Sequence, residues 1–109
     1  MSNFFPGSEE LAQHTIFPGV TVNTCACERM MLSLAKLEPR SVVAEHAHPH
    51  EQVGIVLEGR ATFYIGSEEK TLGPGDIFRI PGNVPHKVIA LDERVRVLDV
   101  FNPVRDEYR

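Results

Sequence analysis

His46-Ala47-His48-Pro49-His50-Glu51-Gln52-Val53-Gly54-Ile55-Val56-Leu57-Glu58-Gly59-Arg60 is the stretch on which the fold turns. It opens with three histidines at alternate positions and runs into a short apolar segment closed by a glycine. A second stretch, GPGDIFRIPGNVPH from Gly73 to His86, ends on a further histidine. Four of the five histidines fall inside these two stretches, so function is sought there. An extended chain points His46 and His48 the same way. Gln52 joins them if a turn at Pro49-His50 brings the next strand alongside. His86 follows a turn and opens another strand. His46, His48, Gln52 and His86 therefore read as four ligands of one metal site, and imidazole suits Zn, Cu, Fe, Ni and, less tightly, Mn.

The rest of the chain carries turn signals at strand-sized intervals. Phe17-Pro18-Gly19, Glu38-Pro39-Arg40, Glu58-Gly59, Gly66-Ser67, Gly73-Pro74-Gly75 and Ile80-Pro81-Gly82-Asn83 separate segments rich in Val, Ile, Leu and Phe. This punctuation predicts an all-β sandwich or barrel. Only Glu9 to His14 could make a helical turn. In Gln52 to Leu57 both parities are apolar, so both faces are expected to be buried, one of them by a second copy of the chain. In Val95 to Phe101 one parity carries Arg94, Arg96, Leu98 and Val100. The other carries Val95, Val97, Asp99 and Phe101 and should point inward, which places an acid among apolar neighbours. Such an acid needs either a salt bridge or capped turn, or a chemical role with a perturbed pKa.

With 109 residues the chain supports one domain, 1–109, with one core. An apolar fraction of 42% and a charged fraction of 24% suit a soluble globular protein. A net charge of -4 leaves no footprint for nucleic acid or an acidic membrane surface. No apolar run approaches membrane-spanning length. MSNFFPGSEE has no basic region leading into an apolar one, so no signal peptide is expected and the protein is expected to be cytoplasmic. Cys25 and Cys27 share a strand face but seldom make good disulfide geometry at that spacing, and no second cysteine pair completes a zinc site. They are read as structural.

The two stretches resemble the paired motifs of the cupin superfamily, G-x5-H-x-H-x3/4-E-x6-G and G-x5-P-x-G-x2-H-x3-N. The first corresponds to Arg40, His46, His48, Gln52 and Gly59, about 40–59. The second corresponds to Gly75, Pro81, Asn83, His86 and Ala90, about 75–90. Fifteen residues separate Gly59 from Gly75, the short spacing of small bacterial cupins. The resemblance implies a cupin double-stranded β-helix, a jelly-roll-like barrel. Arg40 stands at a turn glycine, so that turn is expected to carry some strain. Asn83 replaces another glycine but tolerates left-handed geometry. Ala90 stands at a framework position. Gln52 replaces the glutamate and leaves the charge of a divalent ion undiminished, which makes a stronger Lewis acid and a better anchor for an anion. The match leaves His50 outside the ligand set. His14 has no partner visible in the sequence.

The ending from Leu98 to Tyr108 resembles that of the pectin-degradation cupins known as KdgF, as do HAHPHEQVGIVLEG and IPGNVPH. Asn102 and Val104 stand where that ending has Ser and Pro. This resemblance implies an isomerase-type enzyme that opens 4,5-unsaturated uronates from pectin or alginate breakdown to the linear keto form. It implies a small anionic sugar substrate; three histidines and a glutamine accept one divalent transition metal ion (Ni, Zn, Fe, Mn or Co), and the two apolar faces of Gln52 to Leu57 point to a homodimer. It places Asp99, Phe101 and Arg105 in the active site beside the metal. Asp99 would be the acid/base, Arg105 the fork for the carboxylate and Phe101 an apolar wall. A small-cupin dioxygenase and a non-catalytic sugar- or metabolite-binding cupin are the rival expectations. Arg60, Tyr64 and Arg79 are further pocket candidates with a preferred solvated reading, and Asp76 is read as a turn residue.

Overall fold

A computed structural model describes residues 3–109. Ten strands carry nearly all the order: β1 (Ala12–Phe17), β2 (Val20–Ala26), β3 (Met31–Leu37), β4 (Val42–His46), β5 (Glu51–Glu58), β6 (Ala61–Ile65), β7 (Glu68–Leu72), β8 (Ile77–Ile80), β9 (His86–Ala90) and β10 (Val95–Asn102). They form a six-stranded sheet in the order β1-β2-β3-β10-β5-β8 and a four-stranded sheet in the order β4-β9-β6-β7. Every pairing is antiparallel. Single turns of 3₁₀ helix, Ser8–Glu10 and Asp106–Tyr108, flank the strands. Among the described residues no helix is long and apolar enough to cross a membrane.

The alternation of side chains builds the core. In β10, Val95, Val97, Asp99 and Phe101 are buried, as the parity of the sequence predicts. Val20 and Val22 of β2, Met31 and Leu37 of β3 and Val56 of β5 point to the same interior. Ala61 and Phe63 of β6 and Ala90 of β9 close it from the other sheet. A smaller cluster of Met31, Phe101, Val104 and Tyr108 lies where β3 begins and β10 ends.

Register then decides what shares the floor of the barrel. Thr24, Ser33, Asp99, Gly54 and Phe78 stand opposite one another across five strands. Two residues along, Met31, Phe101, Gln52 and Ile80 form the neighbouring row. In the second sheet His86 pairs with His46 on one side and Ile65 on the other. A register irregularity between Val43 and His46 in β4 precedes the His46 pairing. A Cβ on Gly54 would lie 2.7 Å from Asp99 Oδ1 and would overlap the Phe78 ring, so glycine there makes room for the acid.

Several expectations change. Residues after Glu10 do not coil; Ala12, His14 and Ile16 alternate along β1, because pairing with β2 outweighs one local turn. His14 thus lies on a strand, with its ring 6.0 Å from that of Tyr108. β4 ends at His46, so His48 sits in the connection to β5 rather than on a continuing strand. β2 ends at Ala26, which leaves Cys27 exposed beyond it; both cysteines are free. One face of β5 is not buried: Val53 and Leu57 are 49% and 40% exposed, beside Ile77 at 74%. The second sheet covers only the inner face. Asp76 is a turn residue, accepting from the Gly73 amide.

Arg40 and Asn83 both have positive φ, 65° and 67°, where the motif reading puts glycine. Gly59 has φ 76°, and a Cβ on it would overlap the main-chain carbonyl of Arg94. Arg40→Gly relieves about 1 kcal/mol of left-handed strain and loses an exposed ion pair with Asp92 worth about 0–1 kcal/mol. Urea unfolding should find Arg40→Gly equal to the wild type or up to about 1 kcal/mol more stable. Gly59→Ala should be at least about 2 kcal/mol less stable.

Candidate metal and acid site

Each of the three sequence-predicted histidines has its ring oriented by the main chain. His46 Nδ1 lies 2.8 Å from the Ala44 carbonyl, His86 Nδ1 2.9 Å from that of Val84, and His48 Nδ1 3.1 Å from that of His50. A carbonyl only accepts, so each Nδ1 carries the hydrogen and the lone pair is left on Nε2. One ring nitrogen of each histidine lies within 4.8 Å of the others. The His46 and His86 ring centroids are 4.3 Å apart, and those of His48 and His86 4.9 Å. His86 Nε2 is buried with no hydrogen-bond partner. Burial, with Arg105 and His86 nearby, lowers the His48 pKa to about 4, and burial lowers that of His86. Neutral rings with converging, unpartnered lone pairs are what a divalent transition ion requires. His46, His48 and His86 form a group able to bind a metal. His50 is outside it and contributes its carbonyl to His48.

Gln52 stands between this group and the acid. Its Nε2 donates to Asp99 Oδ1 at 3.0 Å, which turns its Oε1 toward His48 Nε2 at 3.2 Å. With Nδ1 of His48 protonated and the ring neutral, two lone pairs face each other there with no hydrogen between them. A cation taking both is the natural occupant of that geometry.

Asp99 is buried and lines a cavity. Burial pushes its carboxyl up to about 7, although the Gln52 hydrogen bond and the Arg105 charge pull the other way. Phe101, two residues on, sets its ring 5.9 Å from that of His48. Arg105, whose side chain is 12% exposed, lies over the Phe101 ring at 5.3 Å and the Tyr108 ring at 4.2 Å. Its Nε donates to Glu107 Oε1 at 2.6 Å. The guanidinium also hydrogen-bonds the Tyr108 side chain, so Glu107 and Tyr108 together fix its orientation.

A narrow cavity of about 70 Å³ joins these groups, and His46, Gln52, His86, Asp99, Phe101 and Arg105 line it. Tyr108 and Ser33 line it too, and the sequence reading assigned neither. Ser33 was open to the parity reasoning that found Asp99, since Met31, Ser33, Ala35 and Leu37 alternate. Tyr108 sits one helical turn after Arg105, a spacing that brings an aromatic ring back over it. Arg60 and Tyr64 are not at this cavity; Arg60 is exposed and the Tyr64 ring packs under Lys87. Arg79 lines a wider groove of about 350 Å³ with Glu68, Glu69 and Lys70 between β7 and β8, which includes none of the histidines.

The model of the cupin domain family matches residues 33–101. The pectin degradation protein KdgF of Dickeya dadantii is 26% identical over 80 residues, 72% of this chain and 73% of that protein. The structure of KdgF from Halomonas sp. superposes with a TM-score of 0.84 at 28% identity, covering 98% of both chains. An RmlC-like cupin from Shewanella frigidimarina superposes with a TM-score of 0.89 at 25% identity, covering 99% of this chain and 97% of that one.

Asp99 binds its proton more tightly folded than unfolded, where the ordinary value is 3.8. Its contribution to stability is therefore whole below about pH 4 and lost as the pH rises through 7. In the metal-free protein, stability relative to Asp99→Asn should fall over that range. The comparison cancels the opposite contribution of His48, which both proteins share. A difference that stays flat between pH 4 and 8 in denaturant titrations would contradict the buried carboxyl.

Proposed function

The chain belongs to the cupin domain family, and on that premise we propose that it opens 4,5-unsaturated uronate monosaccharides to their linear keto form. The observation that carries this reading is a buried acid, Asp99, linked through Gln52 to His48 of the three-histidine group and in one cavity with Arg105. The likeness to KdgF proteins in sequence and structure supports it. Nε2 of His46, His48 and His86 and Oε1 of Gln52 would hold a divalent transition ion (Ni, Zn, Fe, Mn or Co), which when bound supplies a Lewis acid to substrate oxygens.

The chain's own groups do the rest. The substrate is a cyclic hemiacetal whose ring oxygen sits on C5 of a C4=C5 double bond, next to the carboxylate. Arg105 holds that carboxylate, while Glu107, Tyr108 and the Phe101 ring keep the guanidinium in place. Phe101 also walls the sugar ring and keeps water from the acid. Asp99 takes the proton of the anomeric hydroxyl as the bond from C1 to the ring oxygen breaks. C1 becomes the aldehyde and the former ring oxygen leaves as an enolate on C5, with the hydroxyl proton held by Asp99. The proton then goes to C4, and C5 becomes the ketone. Nothing is gained or lost overall, so the step is an isomerisation. An acid titrating near 7 suits both halves of that transfer.

The cavity is smaller than the roughly 300–1,000 Å³ of typical ligand sites, so the sugar ring sits at its mouth with one edge reaching in. The cost of burying Asp99 weighs against simple sugar binding, which gains nothing from it. Oxygen uptake with the same substrate would favour the dioxygenase reading instead. A second copy of the chain is the proposed cover for Val53, Leu57 and Ile77. Sedimentation as a monomer at all concentrations would remove it.

Asp99→Asn should keep its metal and lose about 10²- to 10⁴-fold in kcat on unsaturated galacturonate, followed by the fall in absorbance of the C4=C5 bond. A metal-replete Asp99→Asn protein working at the wild-type rate would overturn the assignment.

A further inference from the structure

We infer that Ser33 is a substrate-binding residue, which with Asp99 forms a paired subsite for two adjacent hydroxyls of a sugar. The inference rests on the ring-opening reading and names the part of the substrate that enters the cavity.

Ser33 is 1% exposed, lines the cavity, and its Oγ has no hydrogen-bond partner among the described residues. It shares its row on the barrel floor with two other polar side chains, and both of those are satisfied. Thr24 donates to the main-chain carbonyl of Tyr108. Asp99 accepts from Gln52. The hydroxyl of Ser33 alone is left over, on a strand whose other inward residues are Met31, Ala35 and Leu37. Alanine would fit there without stranding a polar group, and a stranded buried hydroxyl destabilises a fold. The partner of this hydroxyl therefore comes from outside the chain.

Its place identifies that partner. Ser33 and Asp99 are directly opposite in the β3–β10 ladder, and side chains so placed have Cβ atoms about 4.5–5.5 Å apart. Two such groups, each making a hydrogen bond of about 2.7–2.8 Å, reach oxygens on neighbouring carbons. A vicinal diol meets that spacing. A lone carboxylate or a monohydric alcohol meets only half of it. Asp99 receives the anomeric hydroxyl, so Ser33 receives the hydroxyl on the next carbon. A serine can donate and accept at once, whereas the carboxylate beside it only accepts when ionised. The bond to Ser33 is made by a hydroxyl that does not react. It therefore holds substrate and transition state alike, and its loss should appear in KM rather than kcat.

The test uses metal-loaded wild type and Ser33→Ala, with turnover of unsaturated galacturonate and thermal unfolding without substrate. The expected result is a KM raised about 10-fold, a kcat within about threefold of the wild type, and an unfolding midpoint that is unchanged or higher. An unchanged KM would show that only water meets this hydroxyl and would overturn the inference. A lowered kcat at constant KM would overturn it too, as would a lower midpoint, which marks Ser33 as structural. Each of those outcomes leaves the ring-opening reading standing if the wild type turns over. A wild type that does not turn over removes the ring-opening reading itself and this subsite with it.

Discussion

The hydrogen bond from Gln52 Nε2 to Asp99 Oδ1 holds the two halves of the site together. The Gln52 amide gives a hydrogen to the acid and at the same time turns an oxygen toward His48. A glutamate at position 52 would set two carboxylates against each other, and one would have to stay protonated. Gln52 and Asp99 thus make sense as a pair. The pair in turn needs Gly54 between them on the floor, since any side chain there would displace the acid or the Phe78 ring.

Around that bond the protein spends burial on polar groups that a stability-driven core would exclude. The larger apolar cluster, from Val20 to Val97, joins the two sheets and carries the fold. The smaller one, Met31, Phe101, Val104 and Tyr108, brings the end of the chain over the cavity. Arg105 arrives on that segment with its face against two rings and one edge on Glu107. A flexible side chain is thereby fixed before any ligand comes, which reduces the entropy lost on binding.

Much of this was legible in the sequence, and the reason is strand periodicity. Alternation over Val95 to Phe101 placed Asp99 and Phe101 inward, and they are inward. Glycine positions in the motifs foretold positive φ at Arg40 and Asn83, because those turns need left-handed backbone whichever residue occupies them. The three histidines converge as their spacing suggested, although a loop rather than a strand carries His48. Ser33 was missed because a serine among apolar residues is a weak signal until its neighbours across the sheet are known. Gln52's contact with Asp99 joins residues 47 apart in sequence, and only register reveals it. The outer face of β5, for which the sequence suggested a cover from a second copy, is open within the single chain. The helical turn that Glu9 to His14 could make stops at Glu10 and gives way to β1, because strand pairing is a long-range gain that local propensity does not see.

The central claim is that Gln52 and Asp99 act on the metal site as one unit. A double-mutant cycle on zinc affinity tests it most directly, with calorimetric titration of wild type, Gln52→Ala, Asp99→Ala and the double variant. The account predicts non-additivity. Removing Asp99 should weaken zinc binding when Gln52 is present, since the amide is then free to turn, and should have little effect once Gln52 is gone. The coupling should be about 1 kcal/mol or more. Strictly additive losses would contradict it.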